Sequence, residues 1–216
     1  MVRFQHLIFD LDGTLVDTRA DLTTAANCML ERFGLPAQSV EQVEAHIGHG
    51  PRVLVERVLG PVHAHLAVEG FAVFMDSYAR HVVDQSVVYP GITRVLATVA
   101  DRGAVLSVLT NKPQAASRAL LSGLGLLPFF RVVVGGDTLP KPKPDPVGVW
   151  HVQCLSGVAL DRTVLVGDSS IDIHTGRAAG ILTCGVSWGF DARGLTQAAP
   201  DFMVDSAEEL LAVLEG

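Results

Sequence analysis

The chain has 216 residues, 49% of them hydrophobic, with a formal net charge of −7. That is ample for a packed core, as one large domain or one domain carrying an inserted module. The acidic balance argues against a non-specific nucleic-acid binder, and no apolar run approaches the ~20 residues of a membrane span.

The first ordered stretch is His6 to Asp17. Leu7, Ile8 and Phe9 form an apolar run of strand-like bulk, and Gly13 offers a turn just after it. Side chains alternate along an extended segment, so Asp10 and Asp12 are expected to point the same way. Two carboxylates that close repel each other, and a proton or a cation must neutralise them. A hard cation such as Mg²⁺ prefers oxygen ligands. The stretch reads as half of a metal site that also holds a nucleophile and an acid/base. The bland alternative is a polar strand end entering a turn.

After Asp17 the period becomes helical. Leu22, Ala25, Ala26, Met29, Leu30 and Phe33 share one face, until Gly34 and Pro36 stop it. Val40 to Ile47 predicts a short helix, and Pro51 opens another through Val58. Phe71, Phe74, Met75, Tyr78 and Val82 mark a further helical face. Residues 18 to 86 thus read as an all-helical insert. From Tyr89 the pattern alternates. Strands are expected at Ala104–Leu109, Arg131–Val134, Thr163–Val166, Ile181–Val186 and Phe202–Val204, with helices between them and a last helix over Ala207–Leu214. Val-rich strands alternating with helices imply an α/β fold, a parallel sheet covered on both faces. Ligands bind at the carboxyl ends of such strands. Asp10 and Asp12, Thr110 and Asn111, the Lys141 loop and Asp168 all fall there. No dinucleotide or P-loop glycine motif is present, so the site is built from carboxylates.

Two composition details sharpen this. Only three of the 16 basic residues are lysines, Lys112, Lys141 and Lys143, and they sit in two short loops. A lysine is a compact charge suited to phosphate or carboxylate. The three cysteines, Cys28, Cys154 and Cys184, are far apart and form no C-x-x-C pair. They are expected to be reduced and buried, in a cytoplasmic protein without a secretory leader.

The segments Asp10-Leu-Asp-Gly-Thr-Leu-Val-Asp17, Leu109-Thr-Asn111, Lys141-Pro-Lys-Pro-Asp-Pro146 and Gly167-Asp-Ser-Ser-Ile-Asp172 resemble, in order and placement, the four motifs of the haloacid dehalogenase superfamily of phosphatases. The resemblance spans nearly the whole chain. It implies a Rossmann-like core over residues 1–17 and 87–216 and a helical cap over 18–86. Within the superfamily, Ile47-Gly-His-Gly-Pro-Arg-Val-Leu-Val-Glu-Arg57 is similar to the phosphoglycolate phosphatase branch. His49 stands where asparagine is usual there, and Pro51 follows the second glycine.

What the resemblance implies is a Mg²⁺-dependent phosphatase of a small phosphate monoester, 2-phosphoglycolate first. A sugar-phosphate phosphatase, a phosphomutase and a catalytically silent binding module are the alternatives. Neither nucleic acid nor membrane is an expected partner. Asp10 is expected as nucleophile and Asp12 as acid/base. Thr110, Asn111 and Lys141 are expected on the phosphoryl group, with Lys141 also holding Asp10. Lys143 is expected to be a solvated neighbour. Asp10, Asp168 and the Asp12 backbone carbonyl are the expected metal ligands, with Asp172 behind them. In the cap, Gly48, His49, Gly50, Arg52 and Arg57 are candidates for a substrate carboxylate.

Overall fold

The computed structural model describes residues 3–216. A six-stranded parallel sheet has the order β5-β4-β1-β6-β7-β8. Its strands are β1 (His6–Phe9), β4 (Val105–Leu109), β5 (Val132–Val134), β6 (Thr163–Gly167), β7 (Leu182–Val186) and β8 (Phe202–Val204). Helices α5 (Ile92–Asp101), α6 (Gln114–Gly123), α7 (Val147–Ser156), α8 (Ser170–Ala179), α9 (Ala192–Ala198) and α10 (Ala207–Glu215) connect and cover it.

β1 lies inside the sheet, so it is apolar on both faces. Leu7, Ile8 and Phe9 are fully buried, each contributing about 1.5–3 kcal/mol of burial. β1 pairs in register with β4 (His6 with Val105) and with β6 (His6 with Thr163). The Asp10 N–H donates to the Val166 carbonyl at 2.9 Å, which carries the pairing one residue past the strand. Three chain ends therefore emerge side by side at Asp10, Thr110 and Asp168.

Helices α1 (Arg19–Arg32), α2 (Val40–Glu44), α3 (Pro51–Leu59) and α4 (Ala67–Arg80) precede the rest of the sheet, with α1 packed mainly on α4. The chain leaves through β2 (Val16–Asp17) and returns through β3 (Val87–Val88), which pair antiparallel. This ribbon has no local signal in the sequence. Buried Asp21, in the first turn of α1, secures the return. It accepts from the N–H groups of Gln85 and Ser86 and from the Ser86 hydroxyl.

The predicted strands and long helices are present, with ends shifted by a residue or two. The helix expected over Val40–Ile47 stops at Glu44, and α9 is additional. Of the cysteines only Cys184 is buried, whereas Cys28 and Cys154 are exposed; all three are free thiols. Among the described residues no helix is long and apolar enough to cross a membrane.

Candidate active site

Sequence order brings Asp10, Asp168 and Asp172 together from three places. Asp10 follows β1, Asp168 follows β6, and Asp172 lies in the first turn of α8. One carboxylate oxygen from each lies within 4.8 Å of the others, and all three are buried. Asp168 accepts from the Thr14 hydroxyl at 2.9 Å and from the Phe190 N–H at 2.8 Å. Asp172 accepts from the Ser169 hydroxyl at 2.6 Å.

The cation that meets this cluster is Lys143. Its ammonium lies 2.5 Å from Asp172 and 2.9 Å from Asp10, and its side chain is 2% exposed. The contact with Asp10 Oδ1 is a buried ion pair, so one ammonium bridges two of the three carboxylates. Lys141, expected here, is elsewhere. Its side chain is 71% exposed and pairs with Asp145 at 3.1 Å. The physical reason is the Asn111 side chain, which clamps the backbone of Lys143 on both sides. Its Oδ1 accepts from the Lys143 N–H at 2.9 Å, and its Nδ2 donates to the Lys143 carbonyl at 3.1 Å. The clamp turns Lys143 inward and leaves Lys141 on the rim.

Burial sets the electrostatics. It pushes the Asp10 carboxyl up to about 6, against the opposing pull of Lys143, and Asp172 pushes it further. Burial, then the charges of Asp172 and Asp10, hold Asp168 well above the usual carboxylate range. Fully ionised, the three carboxylates would exceed the one ammonium by two negative charges, so their charged forms call for a further cation. The donor set is all oxygen, one from each carboxylate. These residues fit a hard divalent cation. The Asp12 side chain is not part of the cluster. It turns to Lys112, whose ammonium lies 2.9 and 3.1 Å from its two oxygens.

Backbone shape protects the arrangement. Gly13 has φ of +86°, and a Cβ there would lie 2.3 Å from Asp168 Oδ2. Gly13→Ala is expected to cost about 1–3 kcal/mol in backbone strain alone and to displace Asp168. Thermal unfolding and turnover of the variant check this: both should fall.

A cavity lies above the cluster, lined by Asp10, Asp12, Thr110, Asn111 and Lys112 and by residues of α1, α3 and α4. The Thr110 hydroxyl accepts from the Lys112 N–H at 3.2 Å, so its own proton remains to donate. Gly48 and Gly50 line this cavity. The Gly48 carbonyl accepts from Asn111 Nδ2 at 3.0 Å, so one asparagine joins the helical part to the Lys143 loop. Gly50 has φ of +85°, and a Cβ there would come within 3.0 Å of the Asn111 carbonyl. The other cap candidates are not in the cavity. His49 is exposed, with its Nδ1 3.4 Å from Arg57. Arg57 is exposed, and the Arg52 guanidinium stacks 4.3 Å over the Phe71 ring. Sequence reasoning singled out Lys112 without giving it a place in the site, and took Lys143 for a solvated neighbour. The scarcity of lysine was the available signal for both.

A family model described as haloacid dehalogenase-like hydrolase matches residues 7–186. The chain is 37% identical over 213 residues to a phosphoglycolate phosphatase of Pseudomonas savastanoi pv. phaseolicola, covering 95% of this chain and 78% of that protein. It is 37% identical over 215 residues to a phosphoglycolate phosphatase of Neisseria meningitidis, covering 95% and 92%. A crystal structure described as a predicted phosphoglycolate phosphatase from Haemophilus somnus superposes with a TM-score of 0.91 at 29% identity, covering 99% of each chain.

Proposed function

The chain belongs to the haloacid dehalogenase-like hydrolases, and from that membership we propose that it is a Mg²⁺-dependent phosphatase of a small acidic monoester, 2-phosphoglycolate first. The observation that carries the reading is the buried cluster of Asp10, Asp168 and Asp172 around Lys143, opening on the cavity that also holds Asp12. The names of the relatives support the choice of substrate.

The chemistry then follows from the residues. An Asp10 oxygen attacks phosphorus, and the bond from phosphorus to the ester oxygen breaks. Asp12 gives its proton to that leaving oxygen, a role typically worth ~10²–10⁴-fold. Water then attacks the aspartyl-phosphate, Asp12 takes the water's proton, and inorganic phosphate leaves Asp10 restored. The Thr110 hydroxyl and the Asn111 N–H donate to phosphoryl oxygens, where charge develops in the transition state. Lys143 neutralises the same region and keeps Asp10 in place. Asp10, Asp168 and Asp172 would hold the cation, with the Asp12 carbonyl as a further candidate from the sequence. When bound, that cation supplies charge neutralisation at the phosphoryl oxygens. In this reading residues 1–17 and 87–216 form the catalytic core, and 18–86 form a cap that reads the rest of the substrate.

A panel of phosphate monoesters, assayed with Mg²⁺ and after exhaustive chelation, tests the reading. 2-Phosphoglycolate should give the highest kcat/KM, and chelation should silence the enzyme until Mg²⁺ is restored. Full activity after chelation would refute the metal role, and a neutral sugar phosphate ranked first would refute the substrate.

A further inference from the structure

Lys112 has no assigned part in the phosphoryl chemistry, yet its side chain is 4% exposed. Its ammonium contacts both Asp12 oxygens and lies 4.4 Å from the ring centroid of Tyr78. Tyr78 comes from α4, is 2% exposed, and lines the same cavity. Its hydroxyl is buried with no hydrogen-bond partner among the described residues. A buried hydroxyl left unpaired is unfavourable, and such groups are uncommon unless something else satisfies them. The surrounding wall is apolar, from Leu22, Leu54, Phe74 and Met75. Lys112 is the one cation among the described residues that line this space. A cation and an unpaired hydroxyl facing an apolar wall make a receptor for an anion.

Distance along the substrate selects which anion. An acid must lie within about 2.6–3.2 Å of the oxygen it protonates, so Asp12 marks the position of the leaving oxygen. In a phosphorylated 2-hydroxy acid the carboxylate carbon is two bonds from that oxygen. Lys112, bonded to Asp12, is within reach of a carboxylate at that remove. An ammonium has three donors, and the contacts with Asp12 engage two. We infer that Lys112 and Tyr78 together receive the substrate's carboxylate, one from the loop after β4 and the other from α4. This takes the place of the role expected for Arg52 and Arg57, and it rests on the substrate class proposed above. A neutral ester leaves both groups unanswered.

The test is steady-state kinetics on 2-phosphoglycolate, on ethyl phosphate (which has the same two-carbon chain without the acid) and on an aryl phosphate. Wild type is compared with Tyr78→Phe and Lys112→Gln. The kcat/KM preference for phosphoglycolate over ethyl phosphate should fall about fivefold in Tyr78→Phe, mostly through KM, and by roughly 10–100-fold in Lys112→Gln. Tyr78→Phe deletes a single oxygen, so it decides the matter if Lys112→Gln does not fold. If wild type keeps the preference and both variants retain the wild-type ratio, the inference is overturned, and Lys112 serves only to hold Asp12. A wild type that hydrolyses the aryl phosphate without preferring phosphoglycolate overturns the substrate class itself, a separate failure.

Discussion

Asp10→Asn will abolish turnover, by roughly 10⁶-fold, the size of loss that follows removal of a nucleophile. An amide has the shape of the carboxylate but does not attack phosphorus. The fold should survive the change. Asp10 is one of three buried carboxylates, and its environment disfavours the charge despite Lys143. The ionised form is therefore a burden on the native state, full above pH about 6 and relieved progressively as the pH falls from there to the ordinary carboxylate value of 3.8. Removing the charge should leave the unfolding temperature, measured at neutral pH without metal, at or above that of wild type. Measurable turnover in pure, folded Asp10→Asn would rule out the covalent route. A large drop in unfolding temperature would instead show that Asp10 holds the fold together.

The second large effect separates two lysines that stand two residues apart. Lys143→Met keeps the aliphatic stem and deletes the ammonium. It leaves Asp10 and Asp172 without their shared counter-charge, which costs about 3–5 kcal/mol for a buried pair. Turnover should be lost with it. Lys141→Met removes an exposed ammonium, 71% accessible, whose partner is Asp145. Such a pair is worth about 0–1 kcal/mol, and kcat should stay within about twofold of wild type. Parallel assays and melting curves of the two variants check the assignment. The opposite ranking would return the role to Lys141.

The sequence was ambiguous at that point for a plain reason. In Lys141-Pro142-Lys143-Pro144-Asp145-Pro146 the pattern lysine-proline-any-proline fits twice, starting at either lysine. Only the clamp from Asn111 breaks the tie, and it joins residues 32 apart. The same limit explains Lys112 and Tyr78, whose meeting depends on how α4 sits over the loop after β4. It also explains the β2–β3 ribbon, two residues on each side joined across some 70 positions. The strands were legible because each carries its own run of Val, Leu and Ile bounded by turn residues. Asp10, Thr110 and Asp168 were legible because each follows the end of such a strand, and Asp12 because it stands two residues after Asp10. The faces presented by Arg52 and Arg57 were not, since a basic residue on a short helix looks alike whether it meets solvent or ligand.

The position of β1 in the sheet bears on how the molecule is made. It leaves the ribosome before every other strand of this sheet, yet its two neighbours begin at Val105 and Thr163. A nascent chain that ends before Thr163 has β4 available beside β1 but an open edge on the other side. Its Leu7-Ile8-Phe9 backbone then waits there with unpaired hydrogen-bonding groups, a template for wrong partners. Pairings this distant in sequence also form slowly, because the long loop must close before any contact rewards it. Asp168 and Asp172 arrive only with β6 and α8. The strand that leads into Asp10 is synthesised before its sheet partners and completed late, and no nascent chain ending before α8 holds the assembled carboxylate cluster.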